Sequence, residues 1–163
     1  VNRPDIDAEL FRQLLGRFAT GVTVLTTRTG SGAPAGMTAS SLASVSLNPP
    51  LVSVCVDVSA EMHRAMAASG EFVINVLSAG QEDLSRRFAD LPAEERFHGV
   101  PWRETASGLI VLEHALAHIE CERHADFPLG DHTLFVGRVT GGAAADLEPL
   151  LYFRGTYGSL RRP

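Results

Sequence analysis

The chain has 163 residues, 45% of them hydrophobic and 20% charged, with a formal net charge of −5. That length suits one domain with a core of its own, and the composition is neither that of a disordered chain nor that of a membrane span. The negative balance argues against nucleic acid as a partner, because such binding rests on a positive surplus.

All 14 basic residues are arginine. A Schiff-base lysine and a phosphate-loop lysine are therefore excluded, and any bound anion must be held by arginine, histidine, hydroxyls or backbone N–H groups. The two cysteines, Cys55 and Cys121, form no CxxC pair. This favours a reducing, cytoplasmic setting over a disulfide scaffold. Val1 to Asp5 lack the apolar core of a signal peptide.

Asp7 is a plausible N-cap for a first helix over about residues 7–20, with Leu10, Phe11, Leu14, Leu15 and Phe18 forming one apolar stripe and Gly21 ending it. Val22 to Thr27 is β-branched and reads as a strand. Gly30 to Pro34 is a turn, and strands are predicted over about Ala35–Ser40 and Ala43–Leu47. Asn48-Pro49-Pro50 is a break, and Leu51–Asp57 is the clearest strand. Ser59 is placed as the cap of a short helix running to Ala68, with Gly70 just beyond it. Glu71–Leu77 is predicted as a strand and Gln81–Phe88 as a helix. Residues 89–108 read as a polar connection carrying Trp102, the only tryptophan. Leu116–Arg123 is ambiguous, since its residue types favour helix locally. Thr133–Thr140 alternates as a strand, and Pro149–Phe153 is a last one. Seven or eight strands with three short helices, not alternating one for one, disfavour a parallel sheet. They point to an antiparallel barrel with helices over its ends.

Five hydroxyls fall between Thr38 and Ser46. A strand of small residues lets a flat ligand approach the backbone, and hydroxyls and N–H groups can bond the rim of a heteroaromatic ring. A serine-rich edge strand is the commoner explanation of such a run. The helix starts near Ser59 and Gln81, with Arg86 or Arg87, could hold a phosphate, although an Arg-Arg pair is more often solvated. His132 follows Gly130-Asp131 at the mouth of a strand, a usual place for a functional side chain. His114, His118, Cys121 and His124 would share a face only on a helix and match no zinc spacing, so no metal site is assigned. No Gly-x-Ser-x-Gly elbow or Gly-x-Gly-x-x-Gly fingerprint is present.

Taken together, Phe18-Ala19-Thr20-Gly21-Val22-Thr23-Val24, Gly36-Met37-Thr38-Ala39-Ser40-Ser41, Ser44 to Val52, Ser69 to Leu77, Ser85-Arg86-Arg87-Phe88, Gly130-Asp131-His132 and Leu151 to Gly155 resemble the short-chain flavin reductases over nearly the whole chain. The resemblance implies one domain over 1–163 with a mainly β, antiparallel, FMN-binding split barrel. It implies an NAD(P)H:flavin oxidoreductase, the reductase component of a two-component monooxygenase, working as a homodimer without nucleic acid or membrane. FMN or FAD would be the flavin, and NADH, or NADPH, the co-substrate. It implies that Met37, Thr38, Ala39, Ser40 and Ser41 lie along the isoalloxazine, and that Cys55, Val56 and Asp57 border it. Ser59, Ser85 and Arg86 would approach the phosphate, with His132, Arg154, Gly155 and Tyr157 at the nicotinamide nucleotide. His132 is the candidate catalytic residue. Leu116–Arg123 becomes a strand by the same resemblance. Many members have a hydroxyl near Met62, and His63 is a candidate to replace it. A flavin-binding module without reductase turnover is the alternative on the same barrel; a flavin-linked oxidase or a cobalamin- or haem-related reductase is a third reading.

Overall fold

The computed structural model describes residues 5–160; the polar stretch Val1 to Pro4 lies outside the described residues. Helix α1 (Ala8–Leu15) starts at Asp7, whose Oδ1 accepts the Leu10 N–H at 2.8 Å. It ends at Gly16, whose N–H returns to the Arg12 carbonyl, five residues before the predicted stop at Gly21. Gly21 lies instead in strand β1 (Thr20–Gly21), paired with Leu151. The predicted apolar stripe exists, but no α1 side chain is buried.

β2 (Thr23–Arg28), β3 (Pro34–Ala39), β4 (Ala43–Leu47) and β5 (Pro50–Asp57) follow. Pro50 is the first residue of β5 and pairs with Leu47 across a two-residue turn, where a missing N–H costs no ladder bond. Helix α2 (Glu61–Ala68) begins at Ala60 without a side-chain cap. Ser59 is not its cap, because the Ser59 N–H and hydroxyl both donate to the Asp57 carboxylate. β6 (Glu71–Val76) and α3 (Glu82–Asp90) come next. The connection read as irregular contains α4 (Ala93–Arg96) and β7 (Trp102–Glu104), the latter paired with β8 (Ile110–Leu112). β9 (Ala117–Leu129) and β10 (His132–Ala144) form a long hairpin, and β11 (Leu151–Phe153) and β12 (Thr156–Gly158) a short one.

Every strand pair is antiparallel. A seven-stranded sheet runs β3-β2-β6-β9-β10-β5-β4, beside a three-stranded sheet β1-β11-β12 and the β7-β8 pair. The large sheet does not close by hydrogen bonds, so β3 and β4 are edges and the barrel is split. Both faces of its middle are covered. Leu25, Val54, Val56, Met62, Met66, Phe72, Ile74 and Phe135 pack on one side, against α2. Val22, Val24, Leu77, Phe88, Leu112 and Leu150 pack on the other, against α3. Neighbouring Val24 and Leu25 thus serve opposite cores, which is the two-residue period of a strand. Each such fully buried side chain contributes roughly 1.5–3 kcal/mol of hydrophobic transfer energy.

Asn75 ties these layers together. Its amide donates to the Val24 carbonyl (3.1 Å) and the Thr26 hydroxyl (3.0 Å), and its oxygen accepts the Leu112 N–H (2.9 Å). Fully buried, it joins β2, β6 and β8 with its polar atoms satisfied.

Candidate active site

A groove of about 250 Å³ opens where three elements meet. The end of β3 contributes Thr38 and Ala39, followed by Ser40; α3 contributes Ser85, Arg86, Ala89 and Asp90; the β11–β12 hairpin contributes Tyr152, Gly155 and Tyr157. Packing sets how close α3 comes to β3. Phe88, fully buried, lies over Gly36, where an added Cβ would stand 2.6 Å from its Cε1. Phe97 meets Phe88 edge-on at 4.9 Å and closes the other side.

Hydroxyls bind the walls of the groove to each other. The Thr38 hydroxyl donates to the Ser85 carbonyl at 2.7 Å. The Ser85 hydroxyl and the Tyr157 hydroxyl are 2.9 Å apart. Thr38 therefore spends its O–H on α3 rather than leaving it for a ligand. Its main chain is better placed. The Gly36 carbonyl is taken by Arg96 at 2.8 Å, so it faces out of the sheet edge. By the two-residue period the Thr38 backbone faces the same way. Arg86 lies over the Tyr157 ring, 4.8 Å from its centroid, and makes two hydrogen bonds to Glu82 at 3.1 and 2.8 Å. The Glu82 bond holds its pKa above the ordinary arginine value.

The start of α3, the sequence-based candidate for the phosphate, follows a short 3-10 turn (Ala79–Gln81) capped by Ser78, whose N–H donates to Gln81 Oε1 at 3.0 Å; α3 itself begins at Gln81 without a side-chain cap. The groove takes α3 residues from its later turns. Arg87 points away and donates to the carbonyls of Glu95 and His98.

A second cluster lies along β5 and β10, beyond the groove lining. Ser41 is the joint: its hydroxyl accepts the Cys55 N–H at 2.9 Å and donates to the Cys55 carbonyl at 3.2 Å. Two residues on, Asp57 sits opposite His132 in the ladder. The two Ser59 hydrogen bonds, both 2.7 Å, hold the Asp57 carboxyl below the usual carboxylate range, with smaller help from the His132 and His63 charges. His132 Nδ1 lies 2.7 Å from the Asp131 carboxylate, and its side chain is 42% exposed. A carboxylate there fixes the tautomer and leaves Nε2 free to face a ligand.

Of the sequence-predicted residues, Thr38, Ala39, Ser40, Ser85, Arg86, Gly155 and Tyr157 come together in the groove. Ser41 and Arg154 line the depression next to it. Cys55, Val56, Asp57, Ser59 and His132 do not line the groove. Val56 is in the core, and Met37 packs against that core. The replacement role for His63 does not fit: Met62 is buried, and His63 Nε2 is 2.8 Å from the Thr133 hydroxyl. The four possible metal ligands do not converge. β9 is a strand, Cys121 turns into the core, where burial pushes its thiol up to about 12, and His114 sits in a turn at φ 62°. Sequence reasoning missed Tyr152. The signal was available, since the chain has two tyrosines and both reach this groove.

A shallow slot walled by small residues, open backbone edges, two tyrosine rings and an arginine suits a flat heteroaromatic ring with a polar rim. The chain matches the sequence model of the flavin reductase like domain over residues 15–161. It is 42% identical over 151 residues to a "probable flavin reductase" of Rhizobium meliloti (strain 1021), covering 93% of this chain and 48% of that one. It is equally identical to the stachydrine N-demethylase reductase subunit Stc3 of the same organism, over 93% of this chain and 65% of that one. The chain thus spans about half to two thirds of the length of these two relatives. A solved structure of the Streptomyces globisporus C-1027 NADH:FAD oxidoreductase SgcE6, in complex with NAD and FAD fragments, superposes with a TM-score of 0.89 at 39% identity, covering 95% of this chain and 93% of that one. With its split antiparallel barrel and this groove, the chain belongs to the flavin reductase-like family.

Proposed function

We propose that this chain, as one domain over residues 1–163, is an NADH-dependent flavin reductase that reduces FMN or FAD and supplies the product to a flavin-dependent monooxygenase. The observation that carries the reading is the groove itself, with a backbone edge and hydroxyl-tied walls but no nucleophile–base pair. That is the equipment hydride transfer needs, since placement and electrostatics are the protein's share. When bound, the flavin supplies a two-electron acceptor at N5 for the hydride that leaves C4 of NADH, which departs as NAD+. Thr38, Ala39 and Ser40 hold the ring against the sheet edge, and Ser41 fixes that edge to Cys55. Tyr152 and Tyr157 shield the slot from water. Arg86, positioned by its two hydrogen bonds to Glu82, puts a permanent positive charge beside the slot, which favours the electron-rich reduced ring. His132, oriented by Asp131, is the candidate for the nicotinamide side, with Arg154 and Gly155. A relative 38% identical over 155 residues is named as the reductase subunit HsaB of a flavin-dependent monooxygenase, which supports a monooxygenase partner.

A homodimer in the cytoplasm completes the reading. Supporting the dimer, Phe18 is 73% and Leu47 92% exposed, and Leu10, Phe11, Leu14, Leu15 and Val45 are exposed with them. A monomer rarely leaves that many large apolar side chains in water. Both cysteines are free, which suits a reducing compartment. No helix among the described residues is long and apolar enough to cross a membrane.

The test is a steady-state assay of purified protein with riboflavin, FMN and FAD against NADH and NADPH, alongside sedimentation velocity. Catalytic reduction of excess free flavin is the expected result. Flavin binding without NADH oxidation above background would replace this reading with a carrier module. His132→Ala is expected to lose turnover while keeping flavin affinity; an unchanged rate makes His132 structural.

A further inference from the structure

Arginine is the only basic residue type other than histidine in this chain, and most of its described copies are engaged with carboxylates or carbonyls. Among the described residues only Arg12, Arg17, Arg64 and Arg154 have side chains with no hydrogen bond, ion pair or ring contact. Three of these four line one depression of about 430 Å³. Gln13, Gly16 and Gly155 complete the lining, which among the described residues includes no carboxylate. In a chain of net charge −5, three uncompensated guanidinium groups converging on one hollow call for an anion.

The hollow is assembled from distant sequence. Arg12 lies in the last turn of α1 and Arg17 just past its end, and Arg12 also borders the depression lined by Phe11, Leu15 and Phe18 of the apolar stripe. Arg154 comes from the β11–β12 turn, whose N–H donates to the Gly16 carbonyl at 3.1 Å. The negative end of the α1 dipole accounts for cations on the helix; it does not account for an arginine on the hairpin. Arg154 is also in an unfavourable conformation. Arg154 (φ 52°) and Gly155 (φ 81°) form a two-residue turn with both residues left-handed, where asparagine and glycine are favoured. An arginine kept there is explained by what its side chain does.

We propose that this three-arginine hollow holds the pyrophosphate of an adenine dinucleotide whose flat head lies in the neighbouring groove. The inference rests on the flavin reductase reading for the occupant of the groove. Continuity supports it: Gly155 lines both hollows, and an intervening depression carries Ser40 and Tyr152 of the groove together with Arg12 and Arg154. Guanidinium forks match phosphate oxygens in a bidentate way, and three of them suit a diphosphate better than a monophosphate. FAD and NADH both carry this group, so the experiment separates them.

The protein is compared with Arg12→Gln, Arg17→Gln, Arg154→Asn and the triple variant. ADP, which has the diphosphate and no ring head, is titrated calorimetrically. Riboflavin, FMN and FAD are followed by fluorescence quenching, and NADH by its KM with FMN as acceptor. Each single change is expected to weaken ADP about two- to fivefold, as for exposed charge pairs, and the triple variant on the order of tens of fold. Riboflavin binding stays the same, and Arg154→Asn keeps or raises the melting temperature. Loss of FAD affinity with an unchanged NADH KM assigns the hollow to the flavin's diphosphate; a raised KM with equal FAD affinity assigns it to the nicotinamide nucleotide. Wild-type protein that ignores ADP, or variants that leave ADP, FAD and NADH unchanged, overturn the proposal. So does an equal loss for riboflavin, which would mean collapse of the groove. Arginine-dependent ADP binding by a protein that reduces no flavin would keep the hollow and remove only the reductase reading.

Discussion

Replacing Gly36 by alanine should damage fold and groove together. The new Cβ would stand 2.6 Å and 2.9 Å from Cε1 and Cδ1 of Phe88 and 3.1 Å from Cζ of Phe97. Phe88 is fully buried and braced by the edge-on ring of the partly buried Phe97, so it has no open space to swing into. Overpacking of this kind costs about 1–3 kcal/mol. Alanine also restricts the unfolded chain, which offsets roughly 0.4–1 kcal/mol, so a net loss of about 1–2 kcal/mol is expected by urea unfolding. For a chain of this size that is about 2–4 °C of melting temperature per kcal/mol. The strain is relieved by moving α3 off β3, which stretches the 2.7 Å bond from Thr38 to the Ser85 carbonyl. Riboflavin affinity should therefore fall too. Phe88→Leu supplies the control. Alone it leaves a void, but combined with Gly36→Ala it makes room for the methyl group, so the double variant should be more stable than the sum of the singles by at least about 1 kcal/mol. Additive effects, or a Gly36→Ala protein with wild-type stability and riboflavin affinity, would refute the idea that this contact sets the groove's width.

Asn75→Ala strips the Val24 carbonyl, the Thr26 hydroxyl and the Leu112 N–H of a buried partner, and should cost about 2–4 kcal/mol in urea unfolding; a loss under 1 kcal/mol would mean that water or Thr26 replaces it. Asp57 titrates below its ordinary 3.8, chiefly through Ser59, so its contribution is complete above that pH and fades as pH falls through the lower folded value. In Ser59→Ala the Asp57 carboxyl should titrate closer to 3.8 by NMR, and an unmoved titration removes Ser59 as the cause. Alkylation at pH 8 should label the half-buried Cys55 in native protein and reach Cys121, whose thiol is pushed up to about 12, only after unfolding; fast native labelling of Cys121 would contradict its placement in the core.

Most of the strands were legible because β-branched runs and turn residues bracket them, as in Val22–Thr27 and Leu51–Asp57. The Leu116–Arg123 segment was not legible from its own residues. Its local types favour helix, and strand is imposed by two neighbours at once, β6 on one edge and β10 on the other. Ser59 was misread as a cap because the sequence does not say that Asp57, two residues earlier, competes for both its donors. In the site, hydroxyl density marked Thr38 to Ser41, yet the role of those hydroxyls differs: they mostly tie backbone to backbone, leaving the sheet edge itself to face the groove. The hollow of Arg12, Arg17 and Arg154 left no trace in the sequence, since one hydrogen bond between Gly16 and Arg154 joins its halves.

The apolar stripe of α1 shows what a periodic pattern does and does not encode. Leu10, Phe11, Leu14 and Leu15 occur at helical spacing, so the pattern states that one face of this helix is kept from water. It says nothing about which surface covers that face, and within one chain none does. The same holds for Val45 and Leu47 on β4, an edge strand that exposes apolar side chains together with unpaired backbone. Edge strands are usually blunted by charge or proline, because a bare edge invites another chain. This edge carries no charge over Ala43–Leu47 and has its prolines only at the turn. Both surfaces have the composition of an interface core, and a second copy of the chain is the partner always present at equal concentration. Oligomer contacts and core contacts are therefore written in the same apolar alphabet, and only the fold of the single chain separates them.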